Sequence, residues 1–493
     1  MKISVDRNSK VPIYWQIEEQ IKSKIVNEEL LAKMKLPSER DLAKSLMVHR
    51  NTVTKAYNEL KSEGLIEAKQ GIGYIVSSGP DNENNSRHGS NRVNWHNAIK
   101  NYYLDYESTF DDIFMSNQKK GVISFGGGMA SKEIFSETKT AEMFKDILTN
   151  EDGSSQYFTP YKGDRSLRRE LVSFLSTKGI ESSYRNIQVM PEMNQALDFI
   201  VTILINEGDM VFIEEPVSPD VYRTFKLAGA NIFTLEMDKE GIVTQGLEGL
   251  IKLKKPKLIF ISSGYNDPSG VITSLERRKD LLAIANKYRI PIIEEDENTD
   301  LYYDGYEMPT LKSIDEYDNV IYIYTFQFTF IPGLAMAFVV ANNKVIDSLS
   351  NLVSTRLMSL DWIKQRLLTR YLSDGTIIES MDEIRELYLG KRNLMGDHLK
   401  PLLDLGYEFD IPKGGVYYWC KLPHGVTSKN IYLEAKKNGI TLIPGEIFYP
   451  NGKKGRDRIR LNYSYESCEK INEGMCKLVD LLEKEKLAHE KSN

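Results

Sequence analysis

The sequence predicts an α/β protein in two parts, a small N-terminal winged helix-turn-helix and a large body whose mainly parallel sheet is covered by helices. Three observations carry that prediction. Helical apolar spacing followed by two glycine-flanked strand runs occupies residues 1–76. A polar stretch from Ser77 to Asn91 follows, nearly devoid of apolar residues. Beyond it, apolar strand-like runs alternate with helical patterns, as in a parallel sheet with crossover helices. At 493 residues the chain exceeds one compact core. The expected division is a head over 1–76, a flexible linker over 77–96 and a body over 97–493, with its core at about 120–480.

In the head, Ile13, Tyr14, Ile17, Ile21 and Ile25 recur at helical spacing and predict the first helix. Leu36-Pro37-Ser38-Glu39-Arg40-Asp41-Leu42-Ala43 reads as the start of the second. Ser38 can cap it, and Asp41 three residues later makes a variant of the capping box. Between His49 and Leu60, Val53, Ala56, Tyr57 and Leu60 form one apolar face, while Arg50, Asn51 and Thr54 project elsewhere. Gly64 to Ala68 and Gln70 to Val76 read as two short strands around a glycine turn, the wing. The Gly/Ser/Asn-rich linker cannot bury enough apolar surface to fold. In the body the expected strands are Ile187–Met190, Met210–Glu214, Lys257–Ser262, Pro291–Glu295, Val320–Thr325 and Ala335–Val340.

Composition narrows the function classes. A hydrophobic fraction of 41% and a charged fraction of 27% are those of an ordinary globular protein. No run of about 18 apolar residues exists, so no membrane span is expected. Residues Met1 to Arg7 lack a signal-peptide core, which makes the cytoplasm the expected location. Cys420, Cys468 and Cys476 are too few and scattered for a disulfide framework or a metal site. The net charge of −6 is uneven: residues 1–76 hold 13 Lys/Arg and 10 Asp/Glu, net +3, which leaves −9 on the rest. A mildly basic head on an acidic body fits a small nucleic-acid module attached to something else.

Residues 10–76 closely resemble the GntR family of bacterial repressors. The matching residues are Tyr14 and Ile17, then Leu36-Pro37-Ser38-Glu39-Arg40 with Leu42-Ala43. Val48, Arg50, Thr52-Val53, Leu60, Glu63-Gly64-Leu65-Ile66, Gly71 and Gly73 follow in order. The resemblance implies double-stranded DNA as partner, read by the N-terminal side chains of a recognition helix in the major groove. Arg50, Asn51, Thr52 and Thr54 are the candidates for bases and nearby phosphates. Arg40 and the amides around Gly71 and Gly73 are candidates for backbone contacts, which set register. His49 stands where that family usually has a small hydroxyl residue.

From about residue 120 to 480 the body resembles fold-type I pyridoxal-phosphate (PLP) aminotransferases. The landmarks include Tyr161 and Gly163, Leu167-Arg168, Asn194-Gln195-Ala196-Leu197, Glu214-Glu215-Pro216, Pro268-Ser269-Gly270, Pro332-Gly333-Leu334, Pro444-Gly445 and Arg458-Ile459-Arg460-Leu461. Joined to a GntR-like head, such a body identifies the chain as a member of the MocR subfamily of regulators. The subfamily implies a homodimer on paired DNA half-sites.

The resemblance also implies a cofactor site, and the residues depart from it. The family segment reads roughly G-S-F-S-K-T-L-x-P-G-L-R-L-G-Y, with a Schiff-base Lys and a phosphate-gripping Arg. Here Tyr324 to Phe338 keep the frame, but Phe328 stands at the Lys and Ala335 at the Arg. No lysine lies between Lys312 and Lys344, and a Schiff base requires a primary amine. In the phosphate cup, Pro191 removes an amide and Glu192 falls about where glycine belongs, beside Met193. Ser218 replaces the aromatic residue that stacks on the pyridine. Glu295 falls at the pyridine-pairing aspartate in an ungapped reading, Asp296 after a one-residue shift, and Glu297 at the tyrosine near the phenolic oxygen. Asn266 lies in the segment that replaces the family's S-H-Q-[FY]. Arg460 matches the substrate-carboxylate arginine and is kept.

No catalytic residue and no cofactor are therefore expected, covalent PLP binding and catalysis being lost. Glu192, Met193, Ser218, Asn266, Glu295, Glu297, Phe328, Ala335 and Arg460 form the expected pocket for a small-molecule effector other than PLP. Such a pocket favours a neutral or cationic, partly aromatic ligand. Phe326, Phe328 and Phe330 either line it or fill the old cofactor space. The competing expectations are a PLP-responsive regulator, a working PLP-dependent aminotransferase, or a scaffold without a ligand whose body only holds two DNA-binding heads at a set distance.

Overall fold

The computed structural model describes residues 3, 5, 12–26, 29–69, 73–77, 115, 119, 121–134, 136–150, 159–303, 305, 307–331, 333–334, 336–450 and 454–490. The chain divides into two compact units, Met1–Glu107 and Ser108–Asn493. The linker expected over 77–96 lies outside the described residues apart from Ser77, as do Gly71 and Ala335.

The head folds as its apolar spacing requires. Helices α1 (Ile13–Val26), α2 (Glu39–Leu46) and α3 (Arg50–Ser62) are followed by strands β1 (Ile66–Lys69) and β2 (Gly73–Val76). The strands pair antiparallel, with Ile66 opposite Val76 and Lys69 opposite Gly73. Ile17, Ile21, Val53, Ala56, Tyr57 and Leu60 are fully buried between the helices. Ser38 caps α2 by accepting from the Asp41 amide, and its hydroxyl donates to the Asp41 carboxylate at 2.6 Å. The Tyr57 hydroxyl donates to the Pro37 carbonyl at 2.9 Å, and its ring meets Tyr74 edge-on, which ties α3 to the start of α2 and to the wing.

In the body, β3 (Ile123–Ser124) precedes the strands of an eight-stranded sheet. These are β4 (Ile187–Met190), β5 (Met210–Glu215), β6 (Asn231–Asp238), β7 (Gly241–Ile242), β8 (Leu258–Ser262), β9 (Ile292–Asp296), β10 (Val320–Thr325) and β11 (Ala337–Val340). Their spatial order is β4-β11-β10-β9-β8-β5-β6-β7. The pairs β10/β9, β9/β8, β8/β5 and β5/β6 are parallel, and only β11 and β7 run against them. All six residues of β10 are buried, as expected of a strand covered on both faces. Two apolar cores flank the sheet, one containing Val189, Leu197, Ile213 and Phe338, the other Phe212, Ile259, Leu281 and Ile292.

All six predicted body strands form, within two residues at their ends. Strands β6 and β7 were not foreseen. Along β6 a single residue, Leu235, is fully buried, so this strand lacks the continuous apolar run that marks the others. A smaller C-terminal part holds β12 (Tyr417–Lys421), β13 (Ile440–Thr441), β14 (Ile443–Pro444) and β15 (Arg458–Asn462), with β13 paired to β3 and the order β12-β15-β14. Its core contains Tyr388, Met395, Tyr418, Ile459 and Leu461.

Candidate nucleic-acid interface and ligand cavity

The first turn of α3 carries the head's candidate residues. The His49 ring caps it, Nδ1 accepting from the Asn51 amide at 3.3 Å, so an imidazole does what a hydroxyl does elsewhere. Arg50 remains half exposed, and its Nε and Nη2 donate to the Glu39 carboxylate at 3.0 and 2.8 Å. The Tyr74 hydroxyl of the wing donates to the same carboxylate at 3.3 Å. Burial pushes the Glu39 carboxyl up, but the hydrogen bonds and charge of Arg50 and the hydrogen bond from Tyr74 help hold it below the usual range. Glu39 thus ties α2, α3 and the wing together around one guanidinium.

Arg40, Arg50 and Gly73 share one concave surface with Glu39 and Tyr74. Arg40, Asn51 and Gly73 are exposed, whereas Thr52 and Thr54 are half-buried. The Thr54 hydroxyl donates to the Arg50 carbonyl within the helix. Glu39 was missed as a partner of Arg50 because eleven residues of separation carry no pairing signal.

In the body, the C-terminal ends of β5, β8, β9 and β10 converge on one cavity of about 260 Å³. Ligands bind at this end of open parallel sheets. The loop Gly126–Gly128 and residues Tyr417, Ile443 and Arg460 of the C-terminal strands close it. Of the residues expected at the pocket, Glu192, Met193, Ser218, Glu295, Glu297 and Arg460 lie in its wall. Glu295, not Asp296, faces the space. Asp296 is buried behind it, accepting from the Tyr322 hydroxyl at 2.6 Å and from the Thr299 amide.

Two predicted wall residues sit elsewhere. Asn266 is fully buried beneath the wall, its amide donating to Glu214 at 2.8 Å and its oxygen accepting from Ser269. The tight turn before Pro268 sends Asp267 into the cavity instead. Phe328 is also fully buried, packed in the C-terminal core with its ring edge-on to Tyr417. Gln327 takes the wall position, donating to the Gly128 carbonyl at 2.6 Å. Phe326 and Phe330 belong to the main core, so all three phenylalanines fill space behind the cavity.

The cavity's electrostatics are acidic. Among the described residues, Glu192, Asp220, Asp267, Glu295 and Glu297 face it against the single guanidinium of Arg460. Arg460 donates from Nη1 to both Asp267 oxygens at 2.6 and 2.7 Å and from Nη2 to the Gly126 carbonyl at 3.1 Å. It also lies over the Tyr417 ring at 4.3 Å. Burial raises the Glu295 carboxyl to about 7, opposed by the Ser262 hydroxyl, which donates to it at 2.7 Å. Burial, and then the charge of Glu295, push Glu297 well above the ordinary range. Glu192 is the N-cap residue of the helix Met193–Leu204, yet its side chain makes no capping hydrogen bond. Asp220, Asp267, Gln327, Asn298 and Tyr417 are wall residues the sequence reading missed. Asp267 adjoins a motif that was read, and its pairing across 193 positions with Arg460 was not legible.

Among the described residues no helix is long and apolar enough to cross a membrane, and no three His, Cys, Asp or Glu side chains could hold a metal ion together. Residues 121–475 match the family of class I and II aminotransferases, and residues 13–76 match the gntR family of bacterial regulatory proteins. The chain is 29% identical to the HTH-type transcriptional regulator YdfD of Bacillus subtilis, over 95% of this chain and 96% of that one. It is 23% identical to the probable rhizopine catabolism regulatory protein MocR of Rhizobium meliloti, over 89% and 88%. Among solved structures, the alpha-aminoadipate aminotransferase LysN of Thermus thermophilus superposes with a TM-score of 0.74 at 25% identity, over 80% of this chain and 99% of that one.

Proposed function

Because the chain belongs to the class I and II aminotransferase family and joins that body to a GntR-type head, the arrangement of MocR-type transcription regulators, we propose that it regulates transcription without PLP. The head binds operator DNA. The body pairs two chains on two half-sites and holds an effector cavity that no longer performs transamination.

One observation carries this reading. The resemblance puts Phe328 at the Schiff-base position, its phenyl ring is buried behind the cavity wall, and no lysine faces the cavity among the described residues. The remaining donor set does not fit PLP either. A phosphate dianion at the N-terminus of the helix Met193–Leu204 would sit beside the Glu192 carboxylate. Like charges at about 4 Å repel by about 4 kcal/mol in a half-wet site. Glu295, Glu297 and Asp267 are further acidic groups where a phosphate site needs donors, and among the described wall residues the one guanidinium is held by Asp267. Retention of Arg460 therefore does not favour an amino-acid substrate.

The test is operator binding by chain stripped of PLP with hydroxylamine and dialysed. The reading predicts sequence-specific, salt-sensitive binding, because phosphate contacts release counterions. Specific binding that appears only after PLP is restored would overturn it.

A further inference from the structure

We propose that the body cavity binds a small organic dication of the α,ω-diamine type, held by carboxylates and without use of a carboxylate receptor. This rests on the reading of the body as free of PLP and names the ligand class of the same site.

The charge balance points there first. Among the described residues, five carboxylates face about 260 Å³, and the one guanidinium in the wall takes up both Asp267 oxygens through Nη1. Glu297 accepts no hydrogen bond and forms no ion pair among the described residues, and the nearby charge of Arg460 only partly offsets the acidic groups around it. Groups in this state are stabilised by an entering cation that restores their charged form.

An independent observation concerns Asn298. It is 2% exposed and lies in the wall, its amide donates to the Tyr265 carbonyl, and among the described residues its Oδ1 has no hydrogen-bond partner. An orphaned carbonyl oxygen is costly unless a donor reaches it. An ammonium group brings three donors and no acceptor, which matches an acceptor-rich wall.

Three alternatives fit less well. A metal ion needs several converging ligands, and no such cluster exists among the described residues. An α-amino acid would present a carboxylate to Arg460, whose Nη1 is held by Asp267 and whose Nη2 is held by the Gly126 carbonyl, leaving only the buried Nε without a partner among the described residues and no pair of free nitrogens for a bidentate grip. A large aromatic cation meets a cavity smaller than the roughly 300–1,000 Å³ of drug-sized sites. Met193 and Ile443 in the wall offer apolar surface for a short methylene chain between two ammonium groups.

The experiment is calorimetric titration of the full-length chain with 1,4-diaminobutane, 4-aminobutanoate and butylamine, beside Glu297→Gln and Glu192→Gln. Absorption near the PLP band is recorded on the same samples after incubation with PLP. The proposal expects saturable diamine binding at least about tenfold tighter than either comparison ligand, weakened about tenfold in each variant. Equal affinity for 4-aminobutanoate, or no diamine heat at millimolar concentration, overturns the inference whether or not the variants fold. A lasting PLP band instead overturns the PLP-free reading beneath it, so the two failures are distinguishable.

Discussion

Replacing Glu295 by Gln isolates the cavity's charge in one atom pair. Glu295 sits half-buried in the wall, and its carboxyl is raised from 4.5 to about 7, chiefly by burial. A raised acid stabilises the fold fully below its unfolded value. That contribution is lost as pH climbs through the folded value. The window therefore runs from about pH 4.5 to about pH 7. At about 1.4 kcal/mol per unit, a rise of about 2.5 units amounts to at most about 3 kcal/mol, less after solvent screening. Gln keeps the shape and can still accept from Ser262, whose hydroxyl lies 2.7 Å from Glu295. Urea unfolding of the body should therefore find Glu295→Gln close to the wild type near pH 5 and more stable by about 2 kcal/mol near pH 8. A stabilisation of equal size at both pH values, or a loss at pH 8, would refute the electrostatic account of this wall.

Other consequences are open to direct measurement. Arg50→Ala should weaken operator binding by about 1–3 kcal/mol in fluorescence anisotropy, with a much smaller effect on random DNA; equal losses on both would assign Arg50 to phosphates. Glu39→Gln should also reduce operator discrimination, since the carboxylate holds the Arg50 fork at 2.8 and 3.0 Å; unchanged discrimination would make the pair structural only. Phe328→Ala should cost the body about 3–5 kcal/mol in denaturant unfolding, because a fully buried ring leaves a void. A cost below about 1 kcal/mol would mean the ring is not packed as described. Sedimentation should find a dimer of the 56.5 kDa chain; a monomer at micromolar concentration would contradict paired half-sites.

Much of this was legible because local chemistry decides it. Ser38 and Asp41 announced the start of α2, and the residue spacing of Val53, Ala56, Tyr57 and Leu60 announced the buried face of α3. The fully buried strands announced themselves by unbroken apolar runs, whereas the half-exposed β6 did not. The ordered landmarks of the body brought Glu192, Ser218, Glu295, Glu297 and Arg460 to one cavity from distant parts of the chain. What sequence order could not convey was direction and partnership. Gln327 rather than Phe328 turns to the cavity, Asp267 rather than Asn266 enters it, and Arg460 spends its charge on Asp267. Each depends on how a turn rotates by one residue, which neighbouring cores settle and local pattern does not.

The central claim is most directly tested by the visible absorption spectrum of the purified chain after incubation with PLP and exhaustive dialysis, beside a Phe328→Lys, Ala335→Arg double variant. The account predicts no lasting aldimine band in the wild type, with operator binding intact in the same sample. A persistent band in the wild type would contradict it, placing a reactive lysine at a site where the wall presents carboxylates and making the chain a PLP-responsive regulator.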